Sequence, residues 1–89
     1  MKSDSLVSSN HMKAGLVTLQ PGEAVGEHVT ENREEVLIVL SGTPTLIKEN
    51  KIIVLKEHET HYIAEGVLHN VRNNTNKELQ YVYVVSLEK

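Results

Sequence analysis

The sequence contains no cysteine, no tryptophan and no phenylalanine in 89 residues, and only two prolines. Without cysteine there is no disulfide, no thiolate metal ligand and no thiol nucleophile, so any metal must be held by histidine and carboxylate. Three tyrosines are the only aromatics, which leaves Val, Leu and Ile to fill a core. No apolar run is longer than Val36 to Leu40, against the roughly 20 residues a membrane-spanning helix needs. The amino terminus carries no apolar stretch of the kind a signal peptide requires. A basic excess is missing too: 9 Lys and Arg against 12 Asp and Glu leave a net charge of −3 and no cluster to neutralise phosphates. These absences argue against nucleic acid and membrane partners, and for a soluble, cytoplasmic protein that binds a small molecule or another protein. A chain of this length makes one domain.

What is present reads as strand. β-branched residues abound, the apolar runs are short, and turn residues break them at intervals of roughly ten. The pattern predicts strands over Lys13 to Leu19, Glu35 to Leu40, Thr45 to Lys48, Ile52 to Leu55, Thr60 to Ile63, Val67 to Arg72 and Leu79 to Leu87. Pro21-Gly22, Ser41-Gly42 and Asn73 to Asn76 punctuate them, and Glu49-Asn50-Lys51 joins a hairpin. No stretch keeps a helical period. The polar residues 1–12 read as a loose arm ahead of a single domain over 13–89.

Val36-Leu37-Ile38-Val39-Leu40 is apolar at consecutive positions. Side chains alternate faces along a strand, so both faces must be covered, one by the barrel core and the other by a second layer. So short a chain has little to spare for that layer, and a homodimer supplies it; the alternative is that the amino-terminal arm folds over the outer face.

Of five histidines, His28 and His69 fall at the ends of predicted strands, each beside a turn, where each alone reads most simply as structural or exposed. Their spacing is more specific. Gly22, His28, Thr30, Glu35 and Gly42 form one series, and His58, Ala64, Gly66, His69 and Asn73 a second. Together the two resemble the motifs of the cupin superfamily, across most of the chain from Gly22 to Asn73. In that family the first motif is Gly, five residues, His-x-His, three or four residues, Glu, six residues, Gly. The second is Gly, five residues, Pro-x-Gly, two residues, His, three residues, Asn. Thr30 stands where the second His belongs, Ala64 replaces the Pro, and His58 replaces a turn Gly.

The resemblance implies an all-β jelly-roll barrel, a double-stranded β-helix with no substantial helix, of the small single-domain type with a conserved barrel. It also implies one divalent metal inside, with His28, Glu35 and His69 as ligands. Two imidazoles and a carboxylate suit Fe, Mn, Ni or Zn. A neutral Thr30 hydroxyl is a poor fourth donor. His61 shares a face with Ile63 and is a further candidate if that face is the core, and His11 lies at the start of a strand near the barrel mouth. Glu31 and Glu34 read as solvated, His58 as a surface residue, and Tyr81 and Tyr83 as core or interface packing. The functions implied are a metal-dependent dioxygenase or isomerase acting on a small organic acid, phenolic or sugar-like molecule, or a non-catalytic binding or sensing module, or a structural dimerisation domain with a degenerate site. No glycine-rich phosphate loop is present, since Gly22-Glu-Ala-Val-Gly26 lacks a third glycine and a following helix.

Overall fold

The structure is a computed structural model that describes residues 1–86. Nine strands follow in order: β1 (Lys2–Ser8), β2 (Met12–Leu19), β3 (His28–Val29), β4 (Glu35–Ser41), β5 (Thr45–Lys48), β6 (Lys51–Val54), β7 (Thr60–Ile63), β8 (Leu68–Arg72) and β9 (Leu79–Ser86). All pairings are antiparallel, in a five-stranded sheet β1-β2-β9-β4-β7 and a four-stranded sheet β3-β8-β5-β6. The described residues contain no helix. Each strand expected from the sequence is present within a residue of its predicted ends; Leu87, placed at the end of the last one, lies outside the described residues.

The alternation of the strands decides what lies between the sheets. Val17 and Leu19 of β2, Leu37 and Val39 of β4, Leu46 of β5, Ile63 of β7, Val71 of β8 and Leu79 and Tyr81 of β9 form one buried cluster. Aliphatic side chains thus fill the core as the absence of Phe and Trp requires, with Tyr81 as its aromatic member. Residues on the opposite face of β4, Val36, Ile38 and Leu40, are half-buried or exposed.

The amino-terminal residues are not a loose arm. Lys2–Ser8 pair with β2 along its length, with a bulge between Ser5 and Val7. Every side chain of β1 is exposed, so the strand is held by main-chain pairing and its sequence shows no apolar alternation. It extends the five-stranded sheet at its edge and does not fold over the outer face of β4.

Three local devices set the connections. Glu49 and Asn50 both have positive φ (49° and 67°) and make the two-residue turn between Lys48 and Lys51, the geometry that matches strand twist. Gly42 has φ +81°, and a Cβ there would meet the Leu79 Cβ at 2.5 Å, so both backbone and packing demand glycine. Asn73 is fully buried and saturated: its Nδ2 donates to the Leu19 and Lys77 carbonyls (3.0 and 2.7 Å), and its Oδ1 accepts from the Thr75 amide and hydroxyl (3.0 and 2.7 Å).

Opposite stability effects follow for two motif positions. Asn73→Ala leaves two carbonyls without a donor and is expected to cost about 2–3 kcal/mol. His58 occupies the left-handed region (φ 69°) in an exposed turn, so His58→Gly is expected to stabilise by about 1 kcal/mol. Urea denaturation midpoints at unchanged slope measure both.

Candidate metal centre

The segment between β2 and β3 is strung along β8. The Gly22 amide donates to the Asn73 carbonyl and the Val25 amide to the Val71 carbonyl, and Asn70 Oδ1 accepts from the Gly26 amide. This track delivers His28 directly opposite His69 in the β3·β8 register. The Gly66 amide closes it by donating to the Thr30 carbonyl at 3.0 Å. Glu35 comes from the other sheet, at the start of β4, where it pairs with Ile63 and Val85. The ligand atoms of His28, Glu35 and His69 all lie within 4.8 Å of one another.

Both imidazoles are held in the same way. Nδ1 of His28 lies 2.8 Å from the Gly26 carbonyl, and Nδ1 of His69 lies 2.8 Å from the Val67 carbonyl. A carbonyl oxygen only accepts, so each Nδ1 carries a proton, and Nε2 is the ring atom left to serve as a ligand. The rings stand 4.3 Å apart, tilted by 60°. His69 is 2% and Glu35 7% exposed, and His69 Nε2 lies 3.3 Å from Glu35 Oε1 without a hydrogen bond. With the proton on Nδ1 this contact sets a lone pair against a carboxylate oxygen in a buried site. Such an arrangement calls for a cation between them or a second proton on the ring. Burial alone would lower the basicity of His69, but the Glu35 carboxylate and the Val67 carbonyl outweigh it and raise the pKa above the ordinary value.

The residues therefore fit a divalent metal in donor type, tautomer and convergence. Thr30 contributes differently: its hydroxyl donates to Glu35 Oε1 at 3.4 Å and so braces the carboxylate. His61 does face the interior, opposite Leu37 and two residues before the fully buried Ile63, as the sequence allowed. Its Nε2 is engaged by Lys48 Nζ at 2.9 Å, and it stands outside the cluster. His11 and His58 are exposed.

A cavity of about 210 Å³ adjoins the cluster. His28, Thr30 and Glu35 form its polar end, and Val17, Val25, Val71, Tyr81 and Tyr83 its walls, with Met1 and Ser3 of the β1 edge. The two tyrosines, read from the sequence as packing, thus serve the site as well. The alternation of β9 carries that signal, because Leu79, Tyr81, Tyr83 and Val85 share one face and Val85 pairs with Glu35. Burial, reinforced by the Glu35 and Tyr83 charges, raises the Tyr81 pKa, so it meets the cavity as a neutral phenol.

The sequence profile of the cupin domain matches residues 15–85. The chain belongs to the cupin family. Among curated relatives, it is 28% identical over 83 residues to the xanthan biosynthesis protein XanB of Xanthomonas campestris pv. campestris, covering 93% of this cupin and 18% of that protein. It is 29% identical over 80 residues to an oxalate-binding protein of Thermotoga maritima, covering 86% and 66%. The cupin thus spans less than a fifth of the length of the polysaccharide-biosynthesis relative. Of solved structures, one described as a predicted oxalate decarboxylase from Thermotoga maritima superposes with TM-score 0.89 at 23% identity, over 97% of this chain and 79% of that one. KdgF from Halomonas sp. superposes with TM-score 0.88 at 13% identity, over 98% and 78%. At these identities the structures establish the jelly-roll fold.

The His61–Lys48 pair makes a pH prediction. Burial and then the Lys48 charge lower the His61 pKa, opposed by Glu59. The unfolded chain therefore takes up the proton first, and stability falls as pH drops through the ordinary histidine value of about 6.5. His61→Gln is expected to lose that part of the acid slope, read as the difference between the two proteins' denaturation free energies from pH 7.5 to 5.

Proposed function

We propose that this cupin holds one divalent transition metal, Fe, Mn, Ni or Zn, on His28, Glu35 and His69, and that it binds or transforms a small oxygen-bearing molecule in the adjoining cavity. The observation that carries this reading is the buried His69 Nε2, which has no hydrogen-bond partner and stands 3.3 Å from Glu35 Oε1. A bound metal there would lower the pKa of a water or polarise a carbonyl or enolate oxygen. The residues do the positioning. The Gly26 and Val67 carbonyls fix the two rings, Thr30 braces the carboxylate, and the neutral phenol of Tyr81 stands beside the site. Relatives named for oxalate binding and for polysaccharide biosynthesis support an oxygen-rich ligand. A binding or sensing role is the second reading, favoured by Thr30, which occupies the place of a fourth ligand and bonds to the third.

Elemental mass spectrometry of protein purified without chelator or an affinity metal tests the centre. About one equivalent in the wild type and less than a tenth of that in His69→Ala is the expected result. Absence of metal after incubation with Fe, Mn, Ni and Zn in turn would overturn the reading.

The outer face of the five-stranded sheet supports a homodimer. Val7, Ala14, Val84, Val36 and Tyr62 stand in one row across all five strands, and Leu16, Val82 and Ile38 in the next. From β2 to β7 these rows carry no charge, and a second copy brings an identical uncharged sheet to cover them. Light scattering after gel filtration is expected to give twice the chain mass, and Ile38→Lys the mass of one chain with metal content retained.

A further inference from the structure

The three residues of the cluster are held with unequal firmness. Glu35 and His69 are buried on β4 and β8, each of which has a strand on both sides. His28 lies on β3, a two-residue strand at the edge of its sheet, within a stretch from Glu27 to Glu34 in which no residue is buried. None of the side chains of this stretch joins the core cluster. Main-chain pairing holds it, through the two register pairs with β8 and the Gly66 amide on the Thr30 carbonyl. The Nδ1 contact of His28 is to Gly26, two residues earlier in the chain, and the Thr30 hydroxyl reaches Glu35 only at 3.4 Å. Exposed backbone bonds with few buried apolar contacts mark a segment that opens at low free energy.

Both ends of the stretch are fixed, and each has a residue in the left-handed region beside it. On one side Val25 packs against the core, its amide donates to the Val71 carbonyl, and the Gly26 amide donates to Asn70 Oδ1. Gly26 itself has φ 111°, open to glycine and strained for other residues. On the other side the Glu34 amide donates to Ser86 Oγ and the Glu34 carbonyl accepts from the Ser86 amide, both at 3.1 Å, and Asn32 turns the chain just before with φ 59°. Between these anchors lies one wall of the cavity, since His28 and Thr30 form its polar end with Glu35. Of the residues in that wall, His28 is the one whose ring meets ligand atoms from both sheets.

We infer that Glu27 to Arg33 is a flap on the cavity, hinged at Gly26 and Asn32, which a divalent metal closes by tying His28 to His69 and Glu35. The inference rests on the metal reading above. Occupancy of the centre and completion of the cavity wall are then one event, so a ligand meets a finished pocket only in loaded protein. Linkage sets the size of the effect, because the factor by which opening weakens metal binding is the factor by which metal suppresses opening.

Hydrogen–deuterium exchange read by mass spectrometry on metal-free and Zn(II)-loaded protein tests this, with metal content measured on the same samples. Opening withdraws one of three ligands, so amides between Gly26 and Glu34 and that of Gly66 are expected to slow by about tenfold or more on loading. β6, the exposed edge on the other side of the same sheet, is expected to change by less than about twofold. His28→Ala, brought to the same zinc content, is expected to show no slowing in the flap. A second variant needs no metal. Val29 and Leu68 pair across β3 and β8, both exposed, in a chain without cysteine, so Val29→Cys with Leu68→Cys can fasten the flap by a disulfide. Its oxidised, metal-free form is expected to exchange as slowly in the flap as the loaded wild type, and reduction to restore fast exchange. One equivalent of zinc without slowing overturns the inference and leaves the metal centre standing. Equal slowing in His28→Ala overturns it as well, because the ion then acts without its tie to the flap. So does a metal-free wild type that exchanges as slowly as the oxidised pair, since the flap then does not open. Protein that takes up no zinc removes the metal reading and the inference with it. Where His28→Ala fails to load, the disulfide pair decides the point.

Discussion

The fold converges on one contact, the approach of Glu35 from one sheet to His69 of the other. A buried carboxylate 3.3 Å from a buried imidazole is a contact that a hydrophobic sandwich tolerates only with a cation or a second ring proton between the two. The rest of the barrel is arranged so that this contact is imposed. Short carbonyl contacts from Gly26 and Val67 take the Nδ1 protons, the Thr30 hydroxyl supports the carboxylate, and the aliphatic core packs beside them. Energy withheld at this point is what a metal ion would release on binding, which links the composition of the core to the chemistry of its centre.

The lack of large aromatics has a related consequence. A core of Val, Leu and Ile fills the space between the sheets without reaching across it, so a cavity persists beside the centre. Tyr81 and Tyr83 are the large rings placed there. One is buried in the cluster, and the other is laid over a glycine on the neighbouring strand. The polar and apolar parts of the cavity thus derive from the same alternation along β9 that builds the sheet.

Much of this was legible from residue patterns. Turn residues and β-branched runs gave seven strands, because tight turns and half-buried strands have strong local chemistry. The two spaced series resemble the cupin motifs, and that resemblance implied His28, Glu35 and His69 as one ligand set; the face shared by His61 and Ile63 is the core face, as the strand alternation allowed. Three features were not legible. β1 has no apolar alternation, since main-chain pairing alone holds it to β2. Lys48 as the partner of His61 depends on how β5 and β7 approach from different sheets, which no local pattern encodes. The role of Gly15 as a bed for Tyr83 depends on the β2·β9 register, which joins the two ends of the chain.

Long-range strand pairing also governs how the centre comes into being. His28 is brought into place by pairing with β8, and Glu35 is fixed by β9 on one side and β7 on the other. Each of these partners is synthesised after the residue it positions, and β9 comes last of all. The three side chains therefore converge only through pairings between segments far apart in the sequence. Pairing of β3 with β8 would join the two imidazoles and pairing of β4 with β9 would add the carboxylate, so a chelate on these residues would form only after strands far apart in the sequence have paired.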